Sequence, residues 1–308
     1  MTRSDDASGP PPRPPRWEEI ASGALLLALA PRIRGEALTP QERFAPFERV
    51  EIPRRAASGT LSGWWLPSTI DAARVADGTD DSDGASGTRA VAVLGHPWVP
   101  WGQGHFYRRG RIPALRRAGF DVLTFDLGGF GDSGPRPRGY FDRDLHDVLD
   151  WVAARRPHLP RLYWGISSGG YWAHQALATR SDVAAAVFED VSAHLIEWSE
   201  RELAWSAPFC VLFRTLFRRG FRYLDARRHA PHLRVPVVGY VGGAEDRGAR
   251  PEDTRALATS AGGAVLIVDG AGHLDAIRRA GPEVIAFALD TFERGLARQF
   301  SVSIPSRR

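Results

Sequence analysis

Over residues 89–297, short unbroken apolar runs alternate with longer stretches in which apolar residues return every three or four positions. The runs are 90–94, 121–125, 162–166, 183–188, 235–241 and 265–268. Unbroken runs of this length suit strands buried on both faces, as in a parallel sheet. Between them, 108–118, 141–155, 171–178, a stretch around Leu257, and 284–297 predict helices; in 141–155 the spacing is carried by Leu145, Val148, Leu149 and Val152. Strand and helix in alternation predict an α/β fold. A mostly parallel central sheet carries helices on both faces, and ligands bind at the carboxyl ends of the strands.

The earlier chain reads differently. Residues 47–52 and 60–66 predict an opening hairpin, and 17–30 a short helix stopped by Pro31. Residues 1–16, rich in Pro, Arg and Ser, predict a disordered tail, which leaves one domain over 17–300. Residues 71–87, rich in Asp, Gly and Ser, predict a flexible surface loop. Between the strands 183–188 and 235–241 lies an insertion, 191–234, with helical spacing of its own.

Candidate chemistry begins at Gly165-Ile166-Ser167-Ser168-Gly169, which fits G-x-S-x-G between a predicted strand and a predicted helix. In that setting the serine stands on a tight turn with its hydroxyl above the sheet, at the positive end of the helix. Ser167 has glycines at both flanking positions; a pattern centred on Ser168 would put Ile166 where a glycine belongs. Serine needs a base, and the base needs an orienting group. Asp246 follows the run 235–241, and His273 follows the run 265–268, so strand ends deliver an acid and then a histidine.

With these residues, and with Gly95-His96-Pro97-Trp98 and the glycine turn 126–134, the chain resembles the α/β-hydrolase superfamily, in particular its compact bacterial serine esterases and thioesterases. The resemblance runs over about 47–297. It implies Ser167 as nucleophile, His273 as base and Asp246 as acid. Asp190 is the alternative acid, since some members place that group one strand earlier, and Glu245 adjoins Asp246. It further implies an oxyanion site made by the backbone N–H groups of Ser168 and Trp98. The superfamily often has His-Gly where this chain has His96-Pro97; proline has no N–H, so the donor moves on to Trp98. The turn 126–134 is expected to buttress the serine turn, and 191–234 to form a small helical cap.

The implied reaction is hydrolysis of a small-molecule carboxylic ester or thioester through an acyl-enzyme. Amide or peptide hydrolysis and acyl transfer use the same triad, and a low-turnover ligand sensor on this fold is the rival from another class. Trp101 on a strand-end loop, with Phe213 and Phe217 in the insertion, is expected to line an apolar or aromatic acyl pocket. The spacing of Phe209, Leu212, Phe213, Leu216, Phe217 and Leu224 predicts one apolar helix face, with Arg214, Arg218 and Arg222 opposite. That helix reads first as a roof over the pocket and second as an element lying on an anionic membrane.

Composition changes little. Hydrophobic residues make up 43% of the 308 and charged residues 25%, as in ordinary globular proteins. There is no Lys or Asn, and the formal charge of +4 does not point to nucleic acid. The single cysteine, Cys210, sits in an apolar run and cannot form an intrachain disulfide. The apolar run 24–30 is too short to span a bilayer, and acids precede it, so a cytoplasmic protein is expected. No metal-ligand spacing stands out, and neither metal nor cofactor is expected.

Overall fold

The computed structural model describes residues 9–29, 39–70 and 87–302. Helix α1 (Arg16–Leu29) comes first. The strands are β1 (Glu48–Pro53), β2 (Thr60–Leu66), β3 (Ala90–Gly95), β4 (Phe120–Phe125), β5 (Arg161–Ile166), β6 (Val183–Glu189), β7 (Val238–Gly243) and β8 (Ala264–Val268). They form one sheet in the order β1-β2-β4-β3-β5-β6-β7-β8. The opening hairpin joins antiparallel, and β2 pairs antiparallel with β4; from β4 onward every pairing is parallel. The apolar runs are central because every residue of β3, β4, β6 and β7 is buried.

Two apolar clusters lie on the two sides of the sheet. One includes α2 (Arg111–Arg117) and α10 (Ala276–Val302), the latter kinked at Ala280. The other includes α3 (Asp142–Arg155), α4 (Ser168–Leu177) and α9 (Pro251–Ser260). Between β6 and β7 lie α5 (Leu195–Glu202), α6 (Ala207–Leu216), α7 (Arg218–Tyr223) and α8 (Ala226–His229). This is the position expected for the insertion 191–234. Its apolar spacing does not continue as one helix: the chain breaks at Phe217 (φ −114°, ψ 54°), so α6 and α7 take different directions.

The start of the chain departs from expectation. The part of the expected tail before Gly9, and all but Gly87 of the expected loop 71–87, lie outside the described residues. From Arg13 onward the chain is tied to the body. The Arg13 guanidinium meets Glu19 at 2.8 Å and the buried Asp142 at 2.6 Å. Glu18 Oε1 accepts the Gly220 N–H at 2.7 Å, and Ser22 Oγ meets Tyr140 Oη at 2.7 Å. Gly23 is needed for the fit, since a Cβ there would stand 2.9 Å from Gly139 Cα. Polar pairing and a close backbone approach therefore seat α1 on the body.

Candidate active site

Strand β5 ends at Ile166 and α4 begins at Ser168, so one residue makes the whole turn. That residue, Ser167, has φ 47° and ψ −114°, a region disfavoured for a side-chain-bearing residue. The turn is held from below by the Ser167 N–H, which donates to Glu189 O at 2.8 Å. Its glycines are steric requirements. A Cβ at Gly165 would meet Gly170 at 2.6 Å, and one at Gly169 would meet Gly95 O at 2.2 Å. The second approach brings the end of β3 against the first turn of α4, and Ser168 Oγ donates to His96 O at 3.1 Å.

Ser167 Oγ lies 3.1 Å from His273 Nε2, and His273 Nδ1 lies 2.7 Å from Asp246 Oδ2. The acid is itself fixed: Asp246 Oδ1 accepts the N–H groups of Gly248 and Ala249, each at 2.8 Å. A carboxylate only accepts, so Nδ1 carries the proton toward Asp246 and Nε2 keeps its lone pair toward Ser167. Burial works against a charge on His273. The hydrogen bond and negative charge of Asp246 outweigh it and hold the imidazole pKa above its ordinary value.

The two other acids near His273 are placed differently. Glu245 is exposed. Asp190 is fully buried at the end of β6, with φ 52°. Its Oδ2 accepts the N–H of Leu274 at 2.9 Å, while Oδ1 has no partner. Burial first, then the neighbouring Glu189 and Asp246 carboxylates, push the Asp190 carboxyl well above the usual range and favour its neutral form. Asp190, Asp246 and His273 offer ligand atoms within 4.8 Å of one another. Both His273 nitrogens and both Asp246 oxygens are already engaged in hydrogen bonds. A cation there would have to displace those bonds.

The loop after β3 is braced by the glycine turn at 126–134. Leu127 N–H donates to His96 Nε2 at 3.0 Å, which leaves Nδ1 to donate to Pro97 O at 2.7 Å. Burial lowers the His96 pKa and favours the neutral ring that this pairing needs. Phe130 packs edge-on against both His96 and Trp98. The turn thus braces the loop carrying Trp98. Trp98 and Ser168 both border the cavity beside Ser167; the Ser168 N–H, in the first turn of α4, has no acceptor within its own helix.

That cavity is about 220 Å³ and reaches Ser167 and His273. Its walls are mostly apolar, with Trp98, Phe141, Tyr171 and Trp172 on one side and Leu195 and Trp198 of α5 on another. Helix α1 contributes to the wall through Gly23 and Leu26. The three expected pocket residues are elsewhere. Trp101 is 39% exposed on the surface, with the Arg108 guanidinium over its ring. Phe213 is fully buried in the core, and half-buried Phe217 packs against its ring. On α6, Cys210 and Phe213 turn into the core while Phe209, Leu212 and Leu216 are exposed, and α1 with α5 borders the cavity instead. Nothing local marks α1 for this place; its small residues Ser22 and Gly23 are the only hint of a close approach.

Comparison with known proteins agrees with this architecture. A family model described as the alpha/beta hydrolase fold matches residues 101–227. No curated protein matches the chain in sequence. Among solved structures, the Pyrococcus furiosus esterase Pf2001 is similar at TM-score 0.65 and 15% identity, over 86% of this chain and 97% of that one. The alpha/beta hydrolase GrgF from Penicillium is similar at TM-score 0.56 and 18% identity, over 82% of this chain and 99% of that one. Pyrococcus horikoshii acylaminoacyl peptidase is similar at TM-score 0.60 and 14% identity, over 82% of this chain and 42% of that one. The sheet order, the turn at Ser167 and these likenesses lead to one assignment: the chain has the α/β-hydrolase fold.

Proposed function

We propose that the chain is a serine hydrolase that cleaves a carboxylic ester or thioester with an apolar or aromatic acyl group. One observation carries the reading: the hydrogen-bonded series Ser167–His273–Asp246 opens onto an apolar cavity. Ser167 Oγ attacks the acyl carbonyl as His273 Nε2 takes its proton. Asp246 keeps Nδ1 protonated and stabilises the imidazolium that forms. The Ser168 N–H and the Trp98 N–H receive the oxyanion; loss of one such donor elsewhere costs about 3–4 kcal/mol of barrier. His273 then returns the proton to the leaving alcohol or thiol, and water, activated by the same nitrogen, releases the acid.

The size of the cavity narrows the substrate. At about 220 Å³ it lies below the roughly 300–1,000 Å³ of common ligand sites, which suits a short or single-ring acyl group. The test is a fluorophosphonate probe together with steady-state turnover of nitrophenyl esters of rising acyl length, with matched thioesters in parallel. Labelling with turnover of the short members is the expected result. Labelling with almost no turnover on any acyl donor favours a ligand sensor, and no labelling at all removes the hydrolase reading.

A further inference from the structure

Large apolar side chains exposed on this protein are concentrated on two elements. In α1, Trp17 (65% exposed) and Ile20 (37%) share a stripe with exposed Ala24 at i, i+3, i+7 spacing. In α6, Phe209, Leu212 and Leu216 repeat that spacing at 38%, 43% and 61% exposure, with Trp205 just before the helix and Val211 beside the stripe. Helix α1 packs against α6 and α7, so the two stripes belong to neighbouring elements. Scattered exposed apolar residues are ordinary on a soluble surface, but a concentration of this kind marks a contact face.

The charges around the face select its partner. Exposed Arg218 and Arg219 follow directly on α6, and exposed Arg16 opens α1; none of the three has an ion pair among the described residues. Of the acids of the adjoining α5, Glu200 is compensated by Arg214 and Glu197 by Arg227, which leaves exposed Glu202 at its end against the three arginines. Apolar residues with tryptophans, edged by uncompensated arginines, form the pattern of an element that lies in the boundary of an anionic bilayer. No helix among the described residues is long and apolar enough to cross a membrane, so the contact is a surface one.

We infer that the face formed by α1 and α6 docks on an anionic lipid surface. The apolar stripes enter the headgroup boundary and the arginines face lipid phosphates. Because α1 also walls the cavity, docking sets the cavity wall beside the lipid. The inference does not depend on the hydrolase reading, and neither does its test.

The test is co-sedimentation of the full chain with vesicles of phosphatidylcholine alone and of phosphatidylcholine mixed with phosphatidylglycerol. Two variants are compared, Trp205→Ser with Leu216→Ser, and Arg218→Glu with Arg219→Glu. Both pairs are exposed, and circular dichroism with a thermal midpoint checks that each variant folds. The expected result is binding to the mixed vesicles that weakens on raising salt from about 0.1 M to about 0.5 M. Each variant should lower the partition coefficient about tenfold or more. Absence of binding to mixed vesicles overturns the inference, as does binding that neither variant changes. A dimer in analytical ultracentrifugation that Trp205→Ser with Leu216→Ser dissociates, without vesicle binding, overturns it in favour of self-association.

Discussion

Asp190 Oδ2 accepts the N–H of Leu274, the residue after His273, at 2.9 Å. Both residues have positive φ, 52° and 60°, a conformation that costs on the order of 1 kcal/mol or more for each. The bond ties the loop bearing His273 to the end of β6. Since Asp190 Oδ2 acts here as an acceptor, an amide oxygen should serve as well. Asp190→Asn should keep kcat within about threefold of wild type, and asparagine tolerates positive φ. Asp190→Ala should lower kcat by about tenfold through a loosened loop. Asp246→Ala should cost about a thousandfold or more. Steady-state kinetics of the three decide it, and equal losses for both alanine variants would make Asp190 the orienting acid.

The two adjacent serines should separate cleanly. Ser167→Ala should abolish turnover and fluorophosphonate labelling. Ser168→Ala should label normally, because its backbone N–H survives and only the bond to His96 O is lost. That loss should lower stability by about 1 kcal/mol in a denaturant titration. Labelling that persists in Ser167→Ala and vanishes in Ser168→Ala would reverse the assignment.

The pH dependence is set by the partners of His273. Only the neutral imidazole accepts the serine proton, so kcat/KM should fall on the acid side with a midpoint above the 6.5 of an unperturbed histidine. Asp246→Asn removes the charge that raises the value, so its midpoint should move down. Stability carries the matching sign. A raised pKa means that protonated His273 stabilises the fold below its unfolded value, and that contribution fades as pH climbs through the folded value. Thermal midpoints of wild type and His273→Gln should therefore differ most on the acid side of this window. A wild-type midpoint at or below 6.5 would contradict the hydrogen-bonding account.

Acyl selectivity tests the location of the pocket. Trp198→Ala enlarges the α5 wall and should shift the preferred ester toward longer chains. Phe213→Ala empties a core position instead, and should lose about 3–5 kcal/mol with the length preference unchanged. A shift with Phe213→Ala, measured at a temperature where the variant stays folded, would place the pocket under α6.

Much of the site was legible because its signals are local. The turn needs glycines where a Cβ at Gly165 or Gly169 would strike backbone. His273 and Asp246 could be placed because each comes just after an unbroken apolar run, and parallel strands all release their loops at the same edge of the sheet. The pocket walls were not legible, because they depend on which elements meet across the chain. The spacing of Phe209, Leu212, Phe213 and Leu216 does describe a helix. Which side of that helix is buried depends on its distant neighbours, α1 among them. The place of α1 rests on bonds such as Glu18 to the Gly220 N–H, separated by 202 positions in sequence. Trp101 failed for a related reason: a loop at a strand end lies near the site, but its indole can turn outward.

The seating of α1 has a consequence for how the chamber comes to exist. Helix α1 and the residues just before it have nothing to dock on until Asp142, Tyr140 and Gly220, all later in the chain, have been made and folded. The sheet, the serine turn and the histidine loop take no strand from it, so reactive chemistry and chamber closure are separable events. A shortened chain beginning near Glu48 would keep Ser167, His273 and Asp246, yet lose the part of the cavity wall that Gly23 and Leu26 supply. On the proposed function, a change in α1 reshapes one wall of the chamber and leaves Ser167, His273 and Asp246 in place.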